Sequence, residues 1–238
     1  MDGLRQTPLH PQWLALRSEK TLAAFVARNL DRPILDIGCG GMKIKHQLKL
    51  SKEEYIGLDY PATAEGWYRT RPDIFADGQR LPIKPETINS VLLLNVLEHI
   101  PDPAACLTEI HRVLKAGGVC IIEVPFLYPL HDEPLDFHRW TRHGLSQLCQ
   151  RHGFEIVSLT PLGQPTETVG LFVNIALSKS TLTLLEKKNP LALMMIVLVI
   201  VVPFINLFAR LLAMMTSDNF MPFGYRLLIR KKRQPNAS

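Results

Sequence analysis

Residues 34 to 41, Ile-Leu-Asp-Ile-Gly-Cys-Gly-Gly, restrict the fold of this chain more than any other stretch. An apolar run leads into an acid and then a tight glycine turn. A buried strand that ends this way, with a helix to follow, is how α/β proteins make room for a nucleotide-like ligand. Glycine has no Cβ, so backbone N–H groups can come close to such a ligand. A second acid, Asp59 in Tyr-Ile-Gly-Leu-Asp-Tyr, lies about one βα unit beyond Asp36, where polar groups of a ligand meet strand ends. A dinucleotide fingerprint G-x-G-x-x-G is not met, because Lys43 stands where its last glycine belongs.

The elements around this turn alternate as a doubly wound sheet requires. Apolar residues at helical spacing predict a helix over Trp13 to Asn29. Ile34–Ile37, Tyr55–Leu58, Ile74–Ala76, Val91–Leu94 and Val119–Val124 read as buried strands. Asp102 and Pro103 announce a helix running to Leu114, as N-cap and first helical residue. A second helix, Arg142 to His152, is closed by Gly153 and followed by a sixth strand, Phe154–Leu159. Tyr225–Ile229 has strand character near the far end.

These residues together resemble the class I S-adenosylmethionine-dependent methyltransferases. Asp36, Gly38 and Gly40, with Cys39 between them, match the turn that wraps the methionine end of the cofactor. Asp59, followed by Tyr60, matches the acid that accepts hydrogen bonds from the ribose. Asp77 and Gly78 match the loop on the adenine side, and Asn95 to His99 the end of the fourth strand under the sulfonium. Leu114 to Gly118 match the turn before the fifth strand. One glycine of the family turn is replaced by Met42, with Gly41 one residue early. The resemblance implies S-adenosyl-L-methionine as cofactor and a Rossmann-like, seven-stranded, mostly parallel sheet. Its last strand is expected to be antiparallel, with an apolar helical insertion at 161–222 before it. The whole of 1–238 is then one methyltransferase domain.

Composition agrees. A chain of 238 residues can bury one large core, and 47% hydrophobic residues exclude wholesale disorder. Cys39, Cys106, Cys120 and Cys149 have no metal-type pairing and read as reduced thiols, Cys39 as a small residue rather than a nucleophile. The N-terminus has no basic start followed by an apolar run, so a cytoplasmic enzyme is expected.

From Leu191 to Ile205 the sequence is wholly apolar. As a helix it reaches roughly 22 Å, short of the roughly 30 Å hydrocarbon core. Extension to Met215 admits Pro203, Asn206 and Arg210. Strands of one sheet on both sides require the chain to leave and return on the same side, which excludes a single span. Lys187 and Lys188 before the segment, and Arg226 and Arg230 to Arg233 after it, fit two ends on the cytoplasmic face. The expectation is an in-plane or re-entrant hairpin over 191–215 that docks the domain at the inner face of a membrane, helped by the basic C-terminus. Helices packed internally, or against a second copy of the chain in a homo-oligomer, are the alternative. The basic cluster lacks interleaved aromatic residues, which argues against nucleic acid.

The loop after the fifth strand, Pro125 to Thr141, is dense in aromatic, acidic, histidine and arginine residues. It resembles a branch of the family that accompanies cell-envelope and glycan biosynthesis. The expected acceptor is therefore a small molecule or a lipid-linked one: a lipid-linked glycan, a prenylated ring or a lipid. A hydroxyl acceptor needs a base, and His131 is the candidate, with Asp136 or His138 as orienting or substitute group. The alternative for His131 is to brace the loop. Tyr128, Arg139 and Trp140 are candidates to contact the acceptor, Arg139 also as a brace. A metal site from His131, His138 and His143 is not expected, since their spacing fits no familiar ligand pair.

Overall fold

A computed structural model describes residues 2–193, 195, 200–215 and 218–233. In chain order the first elements are α1 (Asp2–Arg5), α2 (Trp13–Leu16), α3 (Glu19–Asn29), β1 (Ile34–Ile37), α4 (Lys43–Leu48) and β2 (Tyr55–Asp59). Next come α5 (Pro61–Thr63), a π turn (Ala64–Tyr68), β3 (Ile74–Phe75), β4 (Ile88–Leu94) and a 3-10 turn (Leu97–His99). The remainder is α6 (Pro103–Val113), β5 (Leu114–Pro125), α7 (Arg142–Arg151), β6 (Phe154–Leu162), α8 (Pro165–Glu186), α9 (Val202–Met215) and β7 (Gly224–Lys231). The chain divides into two compact units, one of Met1–Leu22, Leu127–Pro129 and Pro161–Gly224, the other of Ala23–Phe126, Leu130–Thr160 and Tyr225–Ser238.

The second unit holds the site. Its seven strands run in the order β3-β2-β1-β4-β5-β7-β6, with the antiparallel element at the closing end. β1 lies between β2 and β4 and is parallel to both, with Asp36 opposite Gly57 on one side and Leu92 on the other. Strand order therefore reverses at β1, and the crevice at the carboxyl ends of β1 and β4 is where such sheets take ligands. Leu35, Ile37, Val91, Leu93 and Ile122 from the strands, and Leu107 and Ile110 from α6, make one buried apolar core. Near-continuous apolar strands are what a sheet covered on both faces needs.

Local chemistry explains the helix ends. Asp102 Oδ1 accepts from the Ala105 N–H at 3.0 Å and caps α6. Gly153 takes a left-handed φ of 83°, and a Cβ there would stand 2.8 Å from His111 Nε2. Two expectations change. The helix over Trp13 to Asn29 is α2 and α3, separated at Arg17 and Ser18, where the Ser18 hydroxyl donates to the Ala15 carbonyl (2.8 Å) and competes with the helical pattern. The turn at Leu114 to Gly118 belongs to β5 as a bulge: Ile88 pairs with Leu114, but Ser90 already pairs with Val119.

The basic C-terminal cluster also needs correction. Arg226 is buried and paired with Glu123. Lys231 is buried and donates to the Leu114 carbonyl (2.7 Å) and to Glu86 (3.2 Å). Both are structural partners inside the sheet, so neither is available to a lipid surface. Residues 234–238 lie outside the described residues.

The helical unit exposes apolar side chains on α9. On α9, Phe204, Phe208, Met214 and Met215 are 63–76% exposed, while Asn206 on the same helix is fully buried. Asn206 Nδ2 donates to the Pro8 and His10 carbonyls (2.7 and 3.1 Å), and its Oδ1 accepts from Asn174 (2.9 Å). Arg210 pairs with Glu167 at 3.3 Å. Pro203 sits in the first turn of α9, where a missing N–H leaves no helical bond unmade. Gly170 on α8 permits close approach, since a Cβ there would be 2.9 Å from Ala209 Cβ. Among the described residues, α8 is long and apolar enough to cross a membrane by length and composition. Within the expected hairpin, Met194 and Ile196–Val199 lie outside the described residues.

Candidate functional site

The carboxyl ends of β1, β2, β3 and β4 converge on a cavity of about 440 Å³. That is within the range of small-molecule pockets, roughly 300–1,000 Å³. Gly38 and Gly40 of the turn after β1, Asp59 and Tyr60 after β2, Asp77 and Gly78 after β3, and Asn95 after β4 all line it. The residues named from sequence as cofactor contacts are thus brought together, except Asp36 and Cys39. Those two lie just behind the wall.

Each has a local reason for its place. Gly38 has φ 72°, and a Cβ on it would lie 2.3 Å from Val96 Cγ2, so only glycine fits. Its N–H and that of Cys39 donate to the Leu58 carbonyl at 2.8 and 3.1 Å, tying the turn to β2. Met42, where the family turn has glycine, accepts the strained left-handed conformation itself (φ 52°). Asp59 Oδ2 accepts from the Gly40 N–H at 2.9 Å, and Oδ1 from the Tyr60 N–H at 2.8 Å. A carboxylate offers about four acceptor positions, so it can take further donors from a ligand. Asp77 accepts from the Gln79 backbone N–H at 2.8 Å, which shapes the adjoining loop.

Asp36 is buried and accepts from the Tyr55 hydroxyl at 2.5 Å. Burial raises its carboxyl to about 7, against the Tyr55 hydrogen bond and aided by the negative Asp59. It stands beneath the turn, outside the residues that line the cavity. Burial likewise pushes the Cys39 thiol up to about 12, which suits a small packed residue and not a nucleophile. All four cysteines are free and buried.

Apolar Ile37, Leu58, Ala76 and Ile100 supply flat walls, and the acid at the end of β2 supplies acceptors. That donor and acceptor set fits S-adenosylmethionine: apolar contact for a purine, a carboxylate for vicinal hydroxyls, and glycine backbone for an amino-acid tail.

Next to the cavity, Glu98 and His99 of the Asn95–His99 stretch meet His131 in one cluster, a meeting that the sequence did not show. Glu98 is fully buried in the 3-10 turn, and among the described residues neither of its carboxylate oxygens has a hydrogen-bond partner. Burial raises its carboxyl to about 8, opposed by its own backbone N–H and by Arg139 and aided by Asp136 and Asp132. His99, which lines the cavity, has Nε2 3.8 Å from Glu98 Oε1. His131 has Nε2 3.9 Å from the same oxygen and Nδ1 3.3 Å from Asp136 Oδ2. The only textual hint was the adjacency Glu98-His99 at a strand end. Burial of the acid and its meeting with His131, 33 positions along, are tertiary facts.

The loop after β5 divides among roles. Asp136 is held by both terminal nitrogens of Arg139 (2.5 and 2.6 Å), so Arg139 is a brace. Arg139 and the His131 backbone hold the Asp136 carboxyl down at about 2, against its burial. His138 lies against Trp140, ring centroids 5.3 Å apart, and Trp140 packs on the apolar core. Neither lines the cavity. Tyr128 belongs to the helical unit, where its hydroxyl accepts from Gln12 (3.0 Å). Trp67, Tyr68 and Asp132 line the cavity without having been expected, with the Tyr68 hydroxyl donating to Asp132 at 2.7 Å.

Comparison with known proteins agrees with this geometry. A family described as "Methyltransferase domain" matches residues 35–122. A "probable S-adenosylmethionine-dependent methyltransferase" of Mycolicibacterium smegmatis is 28% identical over 173 residues, covering 68% of this chain and 64% of the relative. The ubiquinone biosynthesis O-methyltransferase of Pseudomonas syringae is 25% identical over 120 residues, 47% of this chain and 48% of the relative. The chain thus spans less than two thirds of the length of these curated relatives. Among solved structures, the cyclase SpnF superposes with a TM-score of 0.56 at 18% identity, covering 92% of this chain and 82% of that one. A likeness at that identity speaks for the fold alone.

Proposed function

We propose that this chain, which belongs to the class I S-adenosylmethionine-dependent methyltransferases, transfers a methyl group to an oxygen of an amphipathic acceptor at a membrane surface. The observation that carries the transfer is the Asp59 carboxylate, which links the glycine turn to the end of β2 at the cavity wall. When bound, the cofactor supplies a methyl group already activated on a sulfonium sulfur. The chain's own residues then have two tasks. Gly38, Gly40, Asp59 and Asp77 hold the donor, and the His99–His131 end receives the acceptor, so alignment supplies much of the rate. The acceptor hydroxyl would give its proton to His131 Nε2 while its oxygen bonds to the methyl carbon and the methyl–sulfur bond breaks, the sulfur leaving as a neutral thioether. Asp136 favours this by facing Nδ1, which keeps the proton there and leaves Nε2 basic.

The membrane component is supported by the helical unit. Its outward face is apolar at Phe204, Leu207, Phe208 and Leu211, and Lys179, Lys187 and Lys188 are exposed on the same unit. Exposed apolar residues together with exposed cations on one unit suit an anionic leaflet on the cytoplasmic side. A relative named for ubiquinone biosynthesis also favours a prenylated ring, a lipid or a lipid-linked glycan as acceptor class.

The test incubates the full chain with methyl-labelled cofactor and separate membrane and soluble extracts, then partitions the label. Label in the organic phase supports the reading. Label confined to the aqueous phase replaces the acceptor with a polar small molecule or sugar. Cofactor binding with no label in any product would make the chain a cofactor-binding scaffold without turnover.

A further inference from the structure

We propose that Glu98, His99 and His131 form a binding site for one divalent transition-metal ion, such as Zn²⁺, at the acceptor end of the cavity. One carboxylate oxygen and two imidazole nitrogens lie within 4.8 Å of one another. Glu98 Oε1 is 3.8 Å from His99 Nε2 and 3.9 Å from His131 Nε2, and the two rings meet edge to face with centroids 5.0 Å apart. Metal bonds of about 2.0–2.2 Å place tetrahedral ligand atoms roughly 3.3 Å apart. Loading therefore needs each histidine nitrogen to draw about half an ångström nearer to Glu98, and the most separated pair of ligand atoms to close by up to about 1.5 Å.

Two independent features point to a cation. Glu98 is fully buried, and among the described residues its oxygens have no hydrogen-bond partner. A carboxyl removed from water without a partner is a costly arrangement that a cation would relieve. The second feature is the support behind each imidazole. His99 Nδ1 lies 2.9 Å from the Leu135 carbonyl oxygen, so it carries the proton and its Nε2 lone pair faces Glu98. His131 Nδ1 faces Asp136, itself held by Arg139. Ligating histidines are oriented in this way, by a carbonyl or a carboxylate on the far nitrogen.

Two imidazoles and one carboxylate suit Zn²⁺, Mn²⁺, Fe²⁺ or Co²⁺ better than Mg²⁺ or Ca²⁺, which prefer oxygen. Three protein ligands leave at least one coordination position, and His99 borders the cavity. The site itself does not depend on the methyl-transfer reading. Its consequence does: an acceptor hydroxyl taking the open position becomes more acidic. With the ion bound, that proton would leave for water, and the role of His131 Nε2 as base belongs to the metal-free chain.

The experiment dialyses the full chain against a chelator and titrates it with Zn²⁺ by calorimetry, then with Co²⁺ as a visible-absorption probe. The expected result is one ion per chain, Co²⁺ bands of a four- or five-coordinate site, and a rise in unfolding temperature with Zn²⁺. Glu98→Gln and His131→Ala should each weaken binding at least tenfold, with S-adenosylmethionine binding retained as the check on folding. His143→Ala should bind as the unaltered chain does. Absence of stoichiometric uptake by the unaltered chain overturns the proposal, as does undiminished affinity in both ligand variants. Uptake is read without turnover, so failure of the methyltransferase reading would leave this result standing.

Discussion

Asp59 is the residue on which cofactor binding rests most directly. Its two oxygens already organise the Gly40 and Tyr60 N–H groups, and its charge is the natural acceptor for two ribose hydroxyls. Hydrogen bonds to a charged group contribute roughly 1.5–3 kcal/mol each. Asp59→Ala should therefore weaken S-adenosylmethionine on the order of 100-fold or more by calorimetry; an affinity within threefold of the original would remove Asp59 from the site. Asp36 acts differently, through its proton. Its folded carboxyl is raised to about 7 from an ordinary 3.8, chiefly by burial. Proton uptake thus favours the folded chain: that contribution is complete below about pH 4 and is lost as pH rises through 7. Asp36→Asn keeps an acceptor for Tyr55 and carries no charge. It should match the unaltered chain near pH 4 and exceed it above pH 7, by at most about 4 kcal/mol. Equal unfolding profiles at both pH values would show that Asp36 is not held neutral.

At the scale of elements, the turn after β1 and the first turn after β4 are built against each other. A Cβ on Gly38 meets Val96 and also imposes a left-handed φ on alanine. Overpacking costs about 1–3 kcal/mol and the backbone about 1–2 more. Gly38→Ala should destabilise by about 3 kcal/mol in denaturant unfolding. Adding Val96→Ala should return the packing part and not the backbone part; no recovery would mean that the contact is unimportant. The α8–α9 pair follows a different rule, with polar groups inside. Asn206→Leu removes three hydrogen bonds and strands Asn174 and two backbone carbonyls. A loss of about 3 kcal/mol is expected from the unsatisfied groups, measured by unfolding. A neutral result would show that these bonds add little.

For the whole molecule, the outward apolar face is the feature with the largest consequence. Phe204 and Phe208 are 69% and 63% exposed. Each Phe buried in lipid contributes roughly 1.5–3 kcal/mol. Phe204→Asp with Phe208→Asp should therefore reduce flotation with anionic vesicles at least tenfold, and leave S-adenosylmethionine affinity unchanged. Equal flotation of the variant would exclude this face as the contact.

Much of this molecule was legible one residue after another. Apolar strands of four to seven residues, glycine where φ turns positive, and Asp102 with Pro103 at a helix start are local rules. They placed β1 and α6 within a residue and gathered the acids and glycines of the cofactor site at strand ends. Folding alone decided what depends on distant partners. Arg226 and Lys231 read as a basic cluster, yet each is buried against a group more than a hundred positions away. Asn206 read only as a polar interruption of an apolar run, yet it is fully buried beside Pro8 and His10. Glu98 acquires its meaning only where burial leaves it, among the described residues, without a hydrogen-bond partner between two histidines. Local propensity and hydrophobic period are written in neighbouring residues; desolvation and charge pairing depend on what the chain brings together in space.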